Sequence, residues 1–414
     1  MNVLLSLGLL LIIGYTSGWL LEKIGLPKII GYIGTGILFS PNTIGLIDYN
    51  IGETTKPLMD VCLAFIAFEV GGALKWSKIR KHEKEIINIT ILASIFPFLL
   101  ITLGVFAFGL LFPAILPFEP LNLLLLALLL GALASPTAPA ATLSVIHQYK
   151  AKGNVTDTIL GVAALDDIFG ILLFSFTKGI ISILTSNAEE LFSTIILNTF
   201  YEITVAILIG ASIAIIMNKI TNLLQISKEG QWFIIIFSLL ILCVGIAQLL
   251  NIDSLLVCIT MGIVVVNKCE HQKLIFRILE RYTENFIFLF FFVLSGLHLN
   301  ISTIPKVSLI IFIFIILRTA GKFLGANIGA RIAKAGSSVQ KYTAGGLLPQ
   351  AGIVIGLALS VYQKNGFTEI SEILLTIIMG ATIIHELIGP IAAKYSLKKS
   401  GEIKNTNHNK NKVH

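Results

Sequence analysis

The chain is poor in charge: 13% of its 414 residues are Asp, Glu, Lys or Arg, while 55% are hydrophobic. A soluble domain carries about a quarter charged residues. The low fraction, with a mean hydropathy of +0.89, excludes an ordinary globular protein and puts most of the chain in lipid. Cysteine is scarce too. Cys62, Cys243 and Cys258 lie in apolar runs and Cys269 in a basic loop, with no C-x-x-C and no His-rich spacing. That pattern indicates neither a disulfide framework nor a zinc site, and the four read as apolar filler. No Gly-rich phosphate loop, metal-ligand spacing or nucleophile beside a base stands out, so no enzyme is indicated and no cofactor is expected. The first apolar run has no Lys or Arg before it and no small-residue cleavage motif after it, which excludes a secretory signal and leaves a retained span. The net charge of +7 does not indicate a nucleic-acid partner, because the Lys and Arg punctuate apolar runs instead of gathering on one solvated face.

What the chain has is long apolar windows. A helix needs about 20 residues to cross the hydrocarbon core, and windows of that kind fall at thirteen places: 3–21, 27–46, 57–74, 85–112, 121–146, 157–180, 197–218, 231–250, 254–267, 284–302, 307–332, 342–362 and 369–392. The second and ninth are the weakest, which leaves counts of twelve or fourteen open. Loops on one side of this arrangement hold 24 Lys and Arg and those on the other hold 4, leaving Arg318 and Lys322 inside a span. By the positive-inside rule the N-terminus is outside and the C-terminus cytoplasmic, in the inner membrane of a bacterial-type cell. The expected fold class is an all-α polytopic membrane protein with one transmembrane domain over residues 1–393. Residues 394–414, rich in Lys and Asn and without core-forming periodicity, are expected as a disordered cytoplasmic tail. The amphipathic stretch 271–284 reads as a short interfacial helix acting as a structural linker.

Charges deep in lipid cost roughly 2.5 to 3.5 kcal/mol on insertion scales and mark functional sites by default. The sixth span carries Asp166 and Asp167 in VAALDDIFGILL, about 14 Å from its cytoplasmic start at 1.5 Å per residue. Two adjacent carboxylates near the midplane repel each other, so one is expected to hold a proton unless a cation compensates. That is the chemistry a competition between cation and proton requires. Arg318 and Lys322, four residues apart in the eleventh span, share one helical face and are the natural counter-charges. Lys can lose its proton when desolvated and Arg effectively cannot, so Lys322 is the candidate titrating partner and Arg318 a fixed structural charge. Glu69 in the third span and His385 with Glu386 in the thirteenth are secondary candidates, as another pathway or as charge partners of Arg318.

Two spans also break their own helix. The fifth contains SPTAPAAT with Pro136 and Pro139, and the twelfth contains GGLLPQAG with Pro349. A proline inside a helix removes a backbone hydrogen bond and clashes with the preceding turn. Matching interruptions in two halves of a transporter point to its binding site. The two spans are seven apart, an odd number, so the halves have inverted topology. The first repeat is expected at 3–180 and the second at 231–392, with the span at 197–218 as linker. Such breaks would expose carbonyls and half-helix dipoles to a cation beside the two aspartates.

These segments carry a family resemblance. GLPKIIGYIGTGILFSP (25–41), SPTAPAAT, ALDD (164–167), FLFFFVLSGLHLN (288–300), AGKFLGANIGAR (320–331), GLLPQAGIVIGLAL (346–359) and the closing LIGPIAAKYSLKKSGE follow one another over nearly the whole chain. In this order they resemble the cation:proton antiporter superfamily, the sodium/hydrogen exchanger fold. The branch is the bacterial or archaeal one, with sodium/proton antiporters, spore-germination antiporters and Kef-type potassium/proton systems. The resemblance implies two crossing discontinuous helices in a core domain that moves, elevator-like, against a dimerisation domain, and hence a homodimer. It implies that Asp167 is the principal cation and proton site and that Asp166 pairs with Lys322, a set typical of electrogenic exchange. Glu69 and the His385–Glu386 pair depart from what many relatives carry at those places.

The expected function is therefore exchange of Na+ (or Li+ or K+) for H+ at Asp167, with Thr137 and nearby carbonyls completing the cation's shell. Rival readings are a K+/H+ antiporter, a partner-gated K+ channel of the Kef type, and a non-transporting sensor. A channel would dissipate each gradient independently; a sensor would keep signalling when Asp167 is lost.

Overall fold

The structure is a computed structural model, which describes residues 3–24, 26–40, 43, 51–185, 192–224, 228–298, 303–350, 352–362 and 368–403. Among these residues there are sixteen α-helices and no strand: α1 (Val3–Lys23), α2 (Lys28–Phe39), α3 (Ile51–Ala73), α4 (Trp76–Ile79), α5 (Glu83–Leu111), α6 (Pro120–Leu133), α7 (Pro139–Tyr149), α8 (Asn154–Thr185), α9 (Phe192–Leu223), α10 (Glu229–Leu249), α11 (Ser254–Lys268), α12 (Gln272–Leu297), α13 (Ile304–Ile332), α14 (Ser337–Tyr342), α15 (Gly352–Tyr362) and α16 (Thr368–Lys399). Helix falls in each of the thirteen apolar windows. By length and composition, seven helices can cross a membrane: α1, α5, α8, α9, α10, α13 and α16. Their large apolar side chains point outward in number, among them Ile12, Leu103, Leu208, Ile234 and Ile391, as a lipid-facing surface requires. The two weakest windows form short helices, α2 and α11. Helix α2 stops where Ser40 turns extended, with ψ 146°, the conformation a following proline imposes.

Helix ends are set locally. Lys150, Asn251, Lys334 and Gly401 take left-handed φ of 50°, 54°, 56° and 80°. In each case the next residue's N–H reaches back over the last turn: Ala151 to Ile146 O, Ile252 to Ala247 O, Ala335 to Ala330 O and Glu402 to Leu397 O. These Schellman-type caps satisfy carbonyls that the ending helix leaves open.

Two expectations change. The stretch 271–284 is not a separate interfacial helix: α12 runs unbroken from Gln272 to Leu297, because nothing between the amphipathic turns and the apolar ones removes a backbone hydrogen bond. The tail does not begin at Lys394. Helix α16 continues through Lys399, and residues to Ile403 fold back on α8, since Ala393 and Leu397 are buried and hold the last turns down. Residues 404–414 lie outside the described residues.

The helices pack in two groups. One comprises α1–α3 and α9–α12; the other comprises α5–α8, α13–α16 and the 3₁₀ turn Ala344–Leu347. The larger contacts between them run through α8, to α3, α9 and α11, and through α15, to α3. Within the groups the contacts obey the seven-span offset. Helix α2 packs on α12, where a Cβ on Gly36 would meet Gly296 Cα at 2.8 Å. Helix α11 packs on α3, where a Cβ on Gly262 would meet Gly71 Cα at 3.1 Å. Shifting by seven spans turns one contact into the other. The α5–α13 contact is its own counterpart and the most extensive of all. Cβ atoms on Gly321, Gly325 and Gly329 would each come within 2.6 Å of α5 atoms, at Pro97, Leu92 and Asn88. A small-residue stripe of this kind lets two helix backbones meet, and it carries Arg318 and Lys322 into the centre of the second group.

Candidate functional site

The two interruptions lie against each other. Helix α6 ends at Leu133, residues 134–138 are non-helical, and Pro139 opens α7, the helical position where a missing N–H costs nothing. The side chain of Pro139 lies outside the described residues. In the other half the 3₁₀ turn gives way to Leu348, Pro349 and Gln350 before α15 begins. Ala138 N–H donates to Pro349 O at 3.0 Å. Thr142 Oγ1 donates to Gly346 O at 2.8 Å, and Gln350 Nε2 to Leu133 O at 3.3 Å. The breaks therefore cross and partly satisfy each other.

Most of the remaining carbonyls go to Arg318, which is fully buried in α13. Its Nε donates to Ala134 O (2.9 Å), Nη1 to Leu348 O (2.7 Å), and Nη2 to Pro136 O (2.8 Å) and Pro349 O (3.5 Å). One guanidinium thus holds both interruptions together, using the fork of donors that a lysine lacks. One turn later Lys322, also fully buried, donates to Ser135 O, to Thr137 Oγ1 at 3.1 Å and to Asp166 Oδ2.

Asp166 is saturated. Its Oδ1 accepts Ser94 Oγ of α5 at 2.7 Å and Ser135 Oγ at 3.3 Å; its Oδ2 accepts Thr137 Oγ1 at 2.6 Å and the Lys322 ammonium. Asp167 is the opposite case. It is fully buried, and neither carboxylate oxygen has a hydrogen-bond partner. The Thr137 N–H lies near it but closes no hydrogen bond. A charge taken out of water without a partner is too costly to persist, so this carboxylate holds either a proton or a cation. Helix α8 is drawn against the first break by Gly170, one turn beyond Asp167: a Cβ there would meet Pro136 Cδ at 2.8 Å.

The structure brings Asp166, Lys322, Thr137, Arg318, Pro136 and Pro349 into one bonded cluster, with Asp167 beside Asp166, Lys322 and Thr137. Of the other candidates, His385 and Glu386 lie within electrostatic reach of Arg318. Glu69 is part-buried in α3, in the other helix group. His385 and Glu386 are buried in α16 on the face that packs on the second break, where a Cβ on Gly389 would meet Pro349 Cα at 2.8 Å. His385 Nδ1 faces Ala381 O at 2.9 Å, and neither residue bonds to the acid pair. The Thr137 hydroxyl is turned to Asp166, and the carbonyls of Ala134, Ser135, Pro136, Leu348 and Pro349 are engaged by Arg318 or Lys322. Two members were missed, Ser94 and Ser135. Ser135 sits inside the quoted SPTAPAAT motif. Ser94 carries no sequence signal beyond being one of few hydroxyls in α5.

The chain is similar to known proteins over nearly its whole length. The chain is 23% identical over 386 residues to the Na+/H+ antiporter of Enterococcus hirae, covering 91% of this chain and 94% of that one. It is 22% identical over 399 residues to the Na+/H+-K+ antiporter GerN of Bacillus cereus, covering 94% and 95%. Among solved structures, the sodium proton antiporter MjNhaP1 of Methanocaldococcus jannaschii superposes with a TM-score of 0.71 at 20% identity, over 98% of this chain and 100% of that one. The family model for "Sodium/hydrogen exchanger, transmembrane" matches residues 8–398, and the chain belongs to that family.

Proposed function

We propose that this protein is an electrogenic Na+/H+ antiporter working by alternating access, in which Na+ and H+ exclude each other at Asp167. The observation that carries the reading is the contrast within one helix turn: Asp166 is held by three hydroxyls and an ammonium, while Asp167 is fully buried and bare. Bound H+ or bound Na+ each neutralises the Asp167 carboxylate, so that carboxylate crosses the membrane compensated either way and bare only at high cost. With the break carbonyls engaged elsewhere, water completes the shell of the ion. Lys322, whose ammonium can release a proton where a guanidinium cannot, is the second proton carrier and makes the exchange electrogenic. Arg318 keeps the crossing intact throughout. The movement is elevator-like: the group holding the crossing and the acid pair slides against the group of α1–α3 and α9–α12, which also forms the homodimer contact. The protein sits in the inner membrane with its N-terminus outside and its C-terminus in the cytoplasm.

The test is exchange in proteoliposomes. An imposed Na+ gradient drives opposite proton flux in the wild type, with a current that a membrane potential modulates; Asp167→Asn reduces the flux to that of empty liposomes. Full exchange by that variant would sink the assignment. Because a relative carries K+ in its name, K+/H+ exchange is the second reading, and the same assay run with Na+, Li+ and K+ separates the two. Independent decay of both gradients would instead mean a channel.

A further inference from the structure

Helix α8 carries the acid pair and also makes the larger contacts from its group to the other, and its two ends are held in different ways. At the Asn154 end the restraint comes from its own group. Glu402, just past α16, accepts Val155 N–H at Oε1 (2.8 Å) and both Thr156 N–H (2.8 Å) and Thr156 Oγ1 (2.7 Å) at Oε2. At the far end the restraint comes from the other group. Lys178 Nζ lies 2.9 Å from Asp253 Oδ2, in the turn between α10 and α11. Asp253 Oδ1 meanwhile accepts Leu255 N–H at 3.0 Å and Leu256 N–H at 3.4 Å, capping α11.

Asp167, Phe174 and Lys178 stand seven and four residues apart, hence on one face of α8. The Lys178 ammonium also lies 5.1 Å from the Phe174 ring centre. The Lys178 side chain is 31% exposed and that of Asp253 12%, so water reaches the ammonium end of the pair. Burial raises the Asp253 carboxyl, but Lys178 and the N–H groups of Leu256 and Leu255 bring it below the usual carboxylate range, so it is charged at neutral pH.

We infer that Lys178 and Asp253 form a latch at the outer mouth: the ion pair holds the Asp167 face of α8 to α11 in the state described and opens when the site turns outward. The inference rests on the alternating-access reading above. The Glu402 cap, lying within one group, stays closed throughout, whereas the Lys178–Asp253 pair spans the two groups and cannot survive their sliding.

The test uses the full-length protein in liposomes of known orientation. In one arm Lys178→Cys and Asp253→Cys are combined and bridged by a short bis-methanethiosulfonate, with equally treated wild type controlling for the buried native cysteines. Bridging stops exchange and dithiothreitol restores it; a bridged protein that exchanges at the unbridged rate overturns the latch. In the second arm Lys178→Gln, which leaves the Asp253 cap intact, lowers the KM for Na+ on the outer face and raises it on the inner face by about two- to fivefold. A merely structural contact would not split KM by side, and unchanged values on both sides would also overturn the latch. Failure of the wild type to couple Na+ and H+ at all would refute the exchange reading itself, before either variant is compared.

Discussion

The two sides of α8 at its centre differ as much as buried acids can. On the Asp166 side, α5, α13 and the first break deliver Ser94, Lys322, Ser135 and Thr137 to one carboxylate; on the Asp167 side no donor closes a bond. Adjacent residues of the same type, both fully buried, thus take opposite parts. One is half of a structural ion pair, whose partners would be left charged and alone without it. The other is an open valence. On the proposed function, stability resides with Asp166 and exchange with Asp167, although both lie on one turn.

That division can be broken by substitution. Asp166→Ala leaves the Lys322 ammonium buried without its carboxylate and costs about 3–5 kcal/mol, read as a fall in the unfolding midpoint of the purified protein; adding Lys322→Met recovers most of the loss. Asp167→Asn, which replaces a bare carboxylate by a neutral amide, leaves that midpoint unchanged or raises it. Equal destabilisation by the two aspartate substitutions would end the comparison. A smaller effect sharpens it. Thr137→Val removes a hydroxyl 2.6 Å from Asp166 Oδ2, a hydrogen bond to a charged group worth about 1.5–3 kcal/mol. Ser135→Ala removes one at 3.3 Å and costs about 1 kcal/mol by the same measurement. The reverse order would mean that the hydroxyls serve the ion site and not the pair.

Much of this was legible in the sequence because the chain is so apolar. Against long runs of Leu, Ile and Phe, a charge or a proline stands out. Asp166, Asp167, Arg318, Lys322, Pro136 and Pro349 stand out in this way, and the two breaks announce themselves by their prolines. What could not be read was the assignment of partners. Hydroxyls in apolar helices usually return to their own backbone, as Thr90 does to Ile86 O at 2.8 Å and Thr158 to Asn154 O at 2.7 Å. Nothing local distinguishes Ser94, whose acceptor is 72 residues away. Lys178 lies near the end of an apolar window, and only the fold places Asp253 beside it. Glu402 lay in a segment whose polarity suggested disorder, yet its carboxylate caps the helix that bears the acid pair. Arg318 was recognised as a charge but not as the clasp of two interruptions, since its acceptors are backbone carbonyls and leave no trace in residue type.

The most direct test of the central claim follows protons on the purified protein, without transport. Na+ added to the wild type in a weakly buffered solution displaces the proton from Asp167, and the pH falls by an amount that saturates with Na+. The account predicts that this release disappears in Asp167→Asn and persists in Ser94→Ala, which alters only the Asp166 side. Undiminished proton release by Asp167→Asn, or none by the wild type, would contradict it.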